Sequence, residues 1–490
     1  MNILLDTNII IPLEDTSRIL DSSFAELRKL SAEQQHCLYI HPIQFEDIKR
    51  DKNLERQKIV LSRLKQYSQI DNPPILTEKD CLKLGLSQSN DNDRVDNNVL
   101  FALYRGAVHL LVTNDEGIHK KAQQIGIQDK VYRLEQFLLF LRRYTKDPIT
   151  FDYTGVKEGH LYEIDKSQSF FDSLRQSYDG FDEWYQKCAS GQRKCWYIED
   201  ENESGTIVAI CIYKHEQDVP LTDDNVPTCG QILKLCTFKV DSSARGKKLG
   251  ERLLYIAFDY CVKNNIDWVY LHTYGEEQKT LVGLCQDYGF YYLGNYKQDE
   301  VYIKPMKLKD DGSKPLDSLI RYYPYFKEND SVQKFIIPIQ PKYHEDLFPD
   351  LSSLKGSLFE KDQSLYSCQG NTIKKAYLCH SKIKAIQQGD IVLFYRSTDR
   401  KSIQCLGIVE KVLFSEDINE VFPLIAKRTV YTFSRVQEIL QRKTLVILFR
   451  YIALEKEISH RKIVEVGIKG NIQSIRQISN EQYVSLKYEQ

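Results

Sequence analysis

The sequence predicts a multidomain protein: a parallel α/β sheet first, an α+β domain next and a mainly-β barrel last. Three observations predict it. The chain has 490 residues, more than a single hydrophobic core usually organises. The order of strand-like and helical patterns changes near residue 148 and again near 325. Apolar residues make up 42% and charged residues 28%, so there is enough apolar material for several cores and no signature of wholesale disorder. Domains are therefore expected at 1–148, 149–325 and 326–490.

In the first segment, 3–5 forms a short apolar run, 24–30 has helical periodicity and 37–40 is strand-like. A helix over 94–105 leads through Gly106 into the buried-strand run 108–112, and a last helix over 134–144 stops at Asp147-Pro148. Such alternation makes a parallel sheet with crossover helices. The second segment starts with an amphipathic helix over 170–187, continues with strands over 194–199, 206–213 and 231–240, and ends helix, strand, helix, strand. The polar stretch 307–314 before Pro315 reads as a linker. In the third segment, strands over 335–339, 391–395, 405–412 and 445–451 are separated by turns such as Gln388-Gly389-Asp390, the pattern of a small barrel with a helix or two.

A net charge of −1 means that any anion-binding surface must be local. None of the twelve cysteines sits in a C-x-x-C, which favours reduced packing residues over zinc sites or bridges and hence a cytoplasmic location. The opening MNILLDTNIII has no basic start and meets Asp6 early, unlike a secretory signal, and no run of 18 apolar residues suits a membrane span.

Asp6, Glu46, Asp96 and Asp115 each fall at the C-terminal end of a strand or on a helix just past one. In a parallel sheet those ends share one edge. Four gathered carboxylates repel unless cations neutralise them, and an all-oxygen donor set suits Mg2+ or Mn2+, which can activate water against a phosphodiester. Taken singly, Asp115 could equally cap the helix it opens and Asp6 could simply end its strand. LLDTNIII, Glu46 after YIHP, and DNNVLFALYRGAVHLLVTND resemble the PIN-domain family, which includes bacterial toxin ribonucleases, over about residues 1 to 145. The resemblance implies that Asp6, Glu46, Asp96 and Asp115 hold metal with Asn8 and Thr113 beside them, Asp93 competing with Asp96 from the same helical face.

The strand KLCTFKV runs into DSSARGKKLGERLLYIAF, a glycine-containing basic turn before a strong helix, which points free backbone amides at an anion. With DWVYLHTYGEEQKTLVGLCQDYGFYYLG, the region resembles the GNAT acetyltransferase superfamily over about residues 155 to 305. The resemblance implies that amides of Arg245, Gly246, Lys247, Lys248, Leu249 and Gly250 cradle the pyrophosphate of acetyl-CoA. Phe238 and Val240 would line the pantetheine arm. Lys248 stands in place of a usual glycine, and Cys285 where many members carry the tyrosine that protonates the departing thiolate. Tyr288, three residues on, is the substitute. No Glu lies within 231–240 to act as base, which leaves Asp241, His272 or a water.

KIKAIQQGDIVLFYRST and CLGIVEKV resemble PUA-like domains of the ASCH and EVE kind over about residues 330 to 490. Lys427, Arg428, Tyr431, Arg435, Arg442, Lys443 and Arg450 mix charge with an aromatic ring. Nine Lys/Arg face three Asp/Glu across 427–462, which favours an anionic partner, RNA and tRNA in particular. The expected architecture is thus a PIN-like parallel sheet, a GNAT-like domain and a PUA-like barrel. The expected function is a metal-dependent ribonuclease coupled to an acetyl-CoA-binding domain, a bacterial toxin or defence protein with an antitoxin or other protein partner. The alternative is an acetyltransferase acting on RNA, aminoacyl-tRNA or protein with a non-catalytic first domain; a second alternative is a non-enzymatic RNA-binding regulator.

Overall fold

The computed structural model describes residues 1–15, 21–143, 155–200, 203–224, 228–241, 244, 248–274, 278–348, 351, 364–366, 373–426, 428, 431 and 433–488. They fold as two units. One comprises Met1–Ile149, Ser415–Lys427 and Tyr431–Lys443; the other comprises Thr150–Phe414, Arg428–Val430 and Thr444–Gln490.

The first unit holds β1 (Asn2–Leu5), β2 (Cys37–Ile40), β3 (Ser68–Gln69), β4 (Leu110–Val112) and β5 (Val131–Tyr132) in the order β3-β2-β1-β4-β5. Every ladder is parallel. The central side chains Leu4, Leu5, Leu111 and Val112 are fully buried, as a sheet covered on both faces requires. The strand order reverses between β1 and β4, so the chain leaves those two strands in diverging directions and opens a crevice at their C-terminal ends. Asp6 follows β1 there, and Thr113 to Asp115 follow β4.

Helices Ile418–Ile425 and Phe433–Ile439 also belong to this unit, although they lie far along the sequence. Their apolar face supplies Phe422, whose ring is 5.3 Å from that of Phe140, and the Tyr132 hydroxyl donates to the Pro423 carbonyl. Residues expected in the last segment thus complete the first core.

The second unit begins with β6 (Val156–His160), β7 (Lys194–Glu199), β8 (Ile207–Gln217), β9 (Gln231–Val240), β10 (Trp268–Thr273), β11 (Tyr291–Tyr296) and β12 (Asp299–Pro305). β13 (Lys334–Ile339) opens another sheet, whereas β14 (Ser364–Tyr366) returns to the first, giving the order β11-β12-β10-β9-β8-β7-β6-β14. Its ladders are antiparallel except β9 with β10. The single helix expected over 170–187 is two, Asp172–Ser177 and Phe181–Ser190, because Gly180 takes a left-handed φ of 77° that breaks the helical path.

β15 (Lys374–Cys379), β16 (Ile391–Arg396), β17 (Ser402–Ser415), β18 (Thr444–Ser459) and β19 (Arg476–Ile478) join β13 in the order β15-β18-β17-β16-β13-β19. The expected PUA-like barrel is an open sheet among the described residues. β13 and β16 pair in parallel, and β15 and β19 end the sheet without a ladder between them. One face is backed by a shared core: Leu253, Phe258, Leu319, Tyr323, Ile336, Leu393, Leu406 and Tyr483 belong to one buried cluster that spans both sheets. Apart from Ser415–Lys427 and Tyr431–Lys443, which belong to the first unit, the segments expected at 149–325 and 326–490 share one compact unit. Among the described residues no helix is long and apolar enough to cross a membrane.

Candidate functional site

In the crevice beyond β1 and β4, Asp6 Oδ1 accepts from the Thr7 amide at 2.7 Å. Its Oδ2 accepts from Asn8 Nδ2 at 2.7 Å and from Thr113 Oγ1 at 2.6 Å, so the two polar neighbours expected beside it are in place. Burial, with the charges of Asp96 and Asp115 added, pushes Asp6 up to about 7. Asp96 is pushed up to about 6, again by burial first and Asp115 among the charges. Asp93 faces the other way: Lys121, 2.9 Å from its Oδ1, and Ser89 hold it below the ordinary carboxylate range. Asp96 is thus the member of that pair that feels the other acids.

Asp115 caps the helix Glu116–Gln124 by accepting from Ile118 N at 3.0 Å. Glu46 is ion-paired with Arg94 and remains half-exposed. Among the described residues no three His, Cys, Asp or Glu side chains form a group that could hold a metal ion. Asp6, Asp96 and Asp115 influence one another electrostatically, while Glu46 pairs with Arg94 and Asp96 Oδ2 lies 3.6 Å from Lys121 Nζ.

A different opening lies in the second unit. The parallel β9–β10 ladder runs from Ile232↔Trp268 to Leu235↔Leu271 and stops, although β9 continues to Val240. On its other side β9 stays paired with β8 up to Val240↔Ala209, with Cys236 bulged out of register. Among the described residues, β9 from Cys236 to Val240 thus extends beyond its ladder with β10, the place where an extended ligand would lie alongside it. At its mouth starts the helix Leu249–Lys263, preceded by Lys248 in a left-handed φ of 66° and without a side-chain cap, which leaves first-turn amides open to an anion. A Cβ at Gly250 would stand 2.8 Å from Leu284 Cδ2, 3.6 Å from Phe238 Cε1 and 3.8 Å from Val240 Cγ2. The residues expected around a pantetheine arm and a diphosphate therefore converge on Gly250. Arg245, Gly246 and Lys247 lie outside the described residues.

Residues 160–290 match the acetyltransferase (GNAT) family. A search of curated proteins finds no match. Among solved structures, an ASCH protein from Zymomonas mobilis is similar at 12% identity and a TM-score of 0.24, over 31% of this chain and 92% of that one. NAA60 of Arabidopsis thaliana bound to a bisubstrate analogue is similar at 13% identity and a TM-score of 0.23, over 31% and 97%. A GNAT-family acetyltransferase from Staphylococcus aureus Mu50 is similar at 17% identity and a TM-score of 0.22, over 31% and 99%.

Within the GNAT-family region, His272 follows the last β9–β10 pair by one residue. Its Nδ1 lies 3.5 Å from Asp299 Oδ2 on β12. Burial, then the nearby Lys234 charge, pushes this imidazole down to about 4, so it is neutral at pH 7 and only weakly basic. The same face carries Tyr270, whose hydroxyl donates to Glu216 at 2.6 Å, with Lys234 over its ring at 5.3 Å. Asp299 and Glu216 were invisible to motif reading because each meets the site across a strand pair. Asp241, the other side-chain base candidate, donates its backbone N–H to Val208 O at 2.8 Å, which holds it at the end of β9.

Cys285 and Tyr288 are sealed in the core, at 0% and 1% exposure. The helix carrying Cys285 ends at Asp287, so Tyr288 is its cap residue and not a helical neighbour of Cys285. Burial holds the Tyr288 phenol well above its ordinary value, and its ring lies under Arg450 at 5.1 Å and Lys374 at 5.4 Å. The Tyr288 ring thus faces the other sheet, where Lys374 and Arg450 lie.

Two of the cations expected to meet RNA also turn inward. Arg428 and Arg450 are buried and ion-paired with Glu410, Arg450 Nε at 2.7 Å. Arg435 pairs with Glu438 on its own helix. Lys427 lies outside the described residues.

Proposed function

We propose that the second unit is an acetyl-CoA-dependent N-acetyltransferase. Lys248 to Gly250 hold the diphosphate of the donor with backbone amides, and the stretch of β9 from Cys236 to Val240 hydrogen-bonds its extended arm. When bound, acetyl-CoA supplies the activated acyl group. His272, whose Nδ1 lies 3.5 Å from Asp299, takes the proton from the acceptor amine as the amine nitrogen bonds to the acyl carbon; the carbon–sulfur bond breaks and coenzyme A leaves as its thiolate, which takes a proton from solvent. The observation that carries this reading is the end of the β9–β10 ladder beside Gly250, supported by the family match. Release of free thiol from acetyl-CoA, measured with peptide, polyamine and aminoacyl-tRNA acceptors, tests it. Release above the acceptor-free rate supports the reading, and none from any amine contradicts it.

A second reading, metal-dependent cleavage of structured RNA by the first unit, is favoured by one observation: Asp6 and Asp96 are both pushed well above the ordinary range in one crevice. Perturbed acids of this kind concentrate at functional sites. Incubation of tRNA with Mn2+ and the Asp6→Asn variant beside wild type tests it; metal-dependent products lost in the variant support the reading, and equal products contradict it.

A further inference from the structure

We infer that Glu251 is a positioning residue for the acetyl-CoA turn and that strand β15 fixes it in place, an inference that rests on the acetyltransferase reading. Glu251 is 3% exposed and lies in the first turn of the helix whose N-terminus would face the diphosphate. A bare carboxylate there would repel an anion. Instead its Oε1 accepts from Ile373 N at 2.8 Å and Lys374 N at 3.0 Å, and its Oε2 lies 3.1 Å from Lys248 Nζ. Burial alone would push Glu251 up, but Lys248 and the two amides outweigh it and hold the group at about 2, ionised at every working pH. The negative charge is spent on holding Lys248, the left-handed residue that turns the chain into the helix.

The opposite wall is anchored to the same sheet. Leu284, the first atom a side chain at Gly250 would strike, sits on the helix Lys279–Asp287. The end of that helix is held by Arg450 Nη2, which donates to Asp287 O at 2.8 Å, and by Lys374 Nζ, 3.5 Å from Asp287 Oδ2. Lys374 begins β15 and Arg450 is its register partner on β18. Neighbouring groups on two paired strands therefore hold both sides of the turn, which makes the C-terminal sheet part of the donor site. Glu251 need touch no ligand to act in this way.

Titration calorimetry of the full chain with coenzyme A and with pantetheine, which lacks the diphosphate, separates positioning from general support. Glu251→Gln keeps the shape and removes the charge. It is expected to weaken coenzyme A about tenfold, the effect of one charge-assisted hydrogen-bond set, with pantetheine binding unchanged and Glu251→Asp recovering part of the loss. Wild-type affinity for coenzyme A in Glu251→Gln, or an equal loss for both ligands, overturns the inference. If Glu251→Gln fails to fold, Glu251→Asp against wild type decides by the same ratio: a larger loss for coenzyme A supports the inference, and equal losses overturn it. If wild type binds neither ligand, the acetyltransferase reading itself has failed.

Discussion

Glu410 accepts from Arg450 Nε at 2.7 Å, with side-chain exposures of 11% and 2%, and Arg428 pairs with the same carboxylate. One acid on β17 thus pairs with two enclosed guanidinium groups, Arg450 on the neighbouring strand β18 and Arg428 in a turn between the two strands. Removing one partner of a buried ionic group leaves uncompensated charge, at a cost of about 3 to 5 kcal/mol. Glu410→Gln should therefore lower the unfolding free energy of the second unit by that order, read as a lower denaturant midpoint. Burial alone would raise the Glu410 carboxyl, but Arg428, Arg450 and Lys374 outweigh it and hold it far below its ordinary value. Its contribution is therefore complete above about pH 4.3, the unfolded value, and fades as pH falls below it. A midpoint unchanged at pH 7 would contradict this.

Asp96 should work in the opposite sense. The unfolded chain ionises it near pH 3.9, about the ordinary value, whereas the folded chain keeps the proton up to about 6. Ionisation therefore penalises the fold increasingly as pH rises from the first value through the second. Asp96→Asn should raise the melting temperature by about 2–4 °C at pH 8 without added metal and give no gain at pH 4. Asp93→Asn, which loses the Lys121 pair, should lower it at pH 8. Differential scanning calorimetry at the two pH values checks both signs.

His272→Gln should reduce kcat for acetyl transfer by about 100-fold, within the range of a lost general base, and leave coenzyme A affinity unchanged. Because burial keeps the imidazole neutral down to about 4, protonation of His272 should not slow the wild-type enzyme between pH 8 and pH 6. A rate that falls in that interval with the signature of one protonation, or a fully active His272→Gln, would remove His272 from the role of base.

What motif reading could reach was what lies close in the chain or at the end of a strand. Asp6 and Thr113 could be grouped because both follow apolar strand runs, and Phe238, Val240 and Gly250 because a strand leads directly into a helix. Local periodicity could not show that Gly180 divides one amphipathic stretch into two helices, since both halves keep the same apolar face. It could not show that Arg428 and Arg450 point inward, because a basic residue in a turn or on a strand looks the same whether its partner is solvent or Glu410. The partner amides of Glu251 come 122 and 123 residues later, from a strand that only the shared core of the two sheets brings near. Asp299 reaches His272 through the antiparallel β10–β12 pairing, a register no single sequence specifies by pattern alone.

The most direct test of the account is calorimetric titration of coenzyme A into the full chain, wild type beside Gly250→Glu. Gly250 lies where Leu284, Phe238 and Val240 converge, and a carboxylate there would both crowd that junction and repel a diphosphate at the helix start. Wild type is expected to bind saturably and one-to-one, and Gly250→Glu, somewhat less stable but still folded at the titration temperature, to give no measurable heat. No heat from wild type at millimolar coenzyme A, or equal binding by the two proteins, would contradict it.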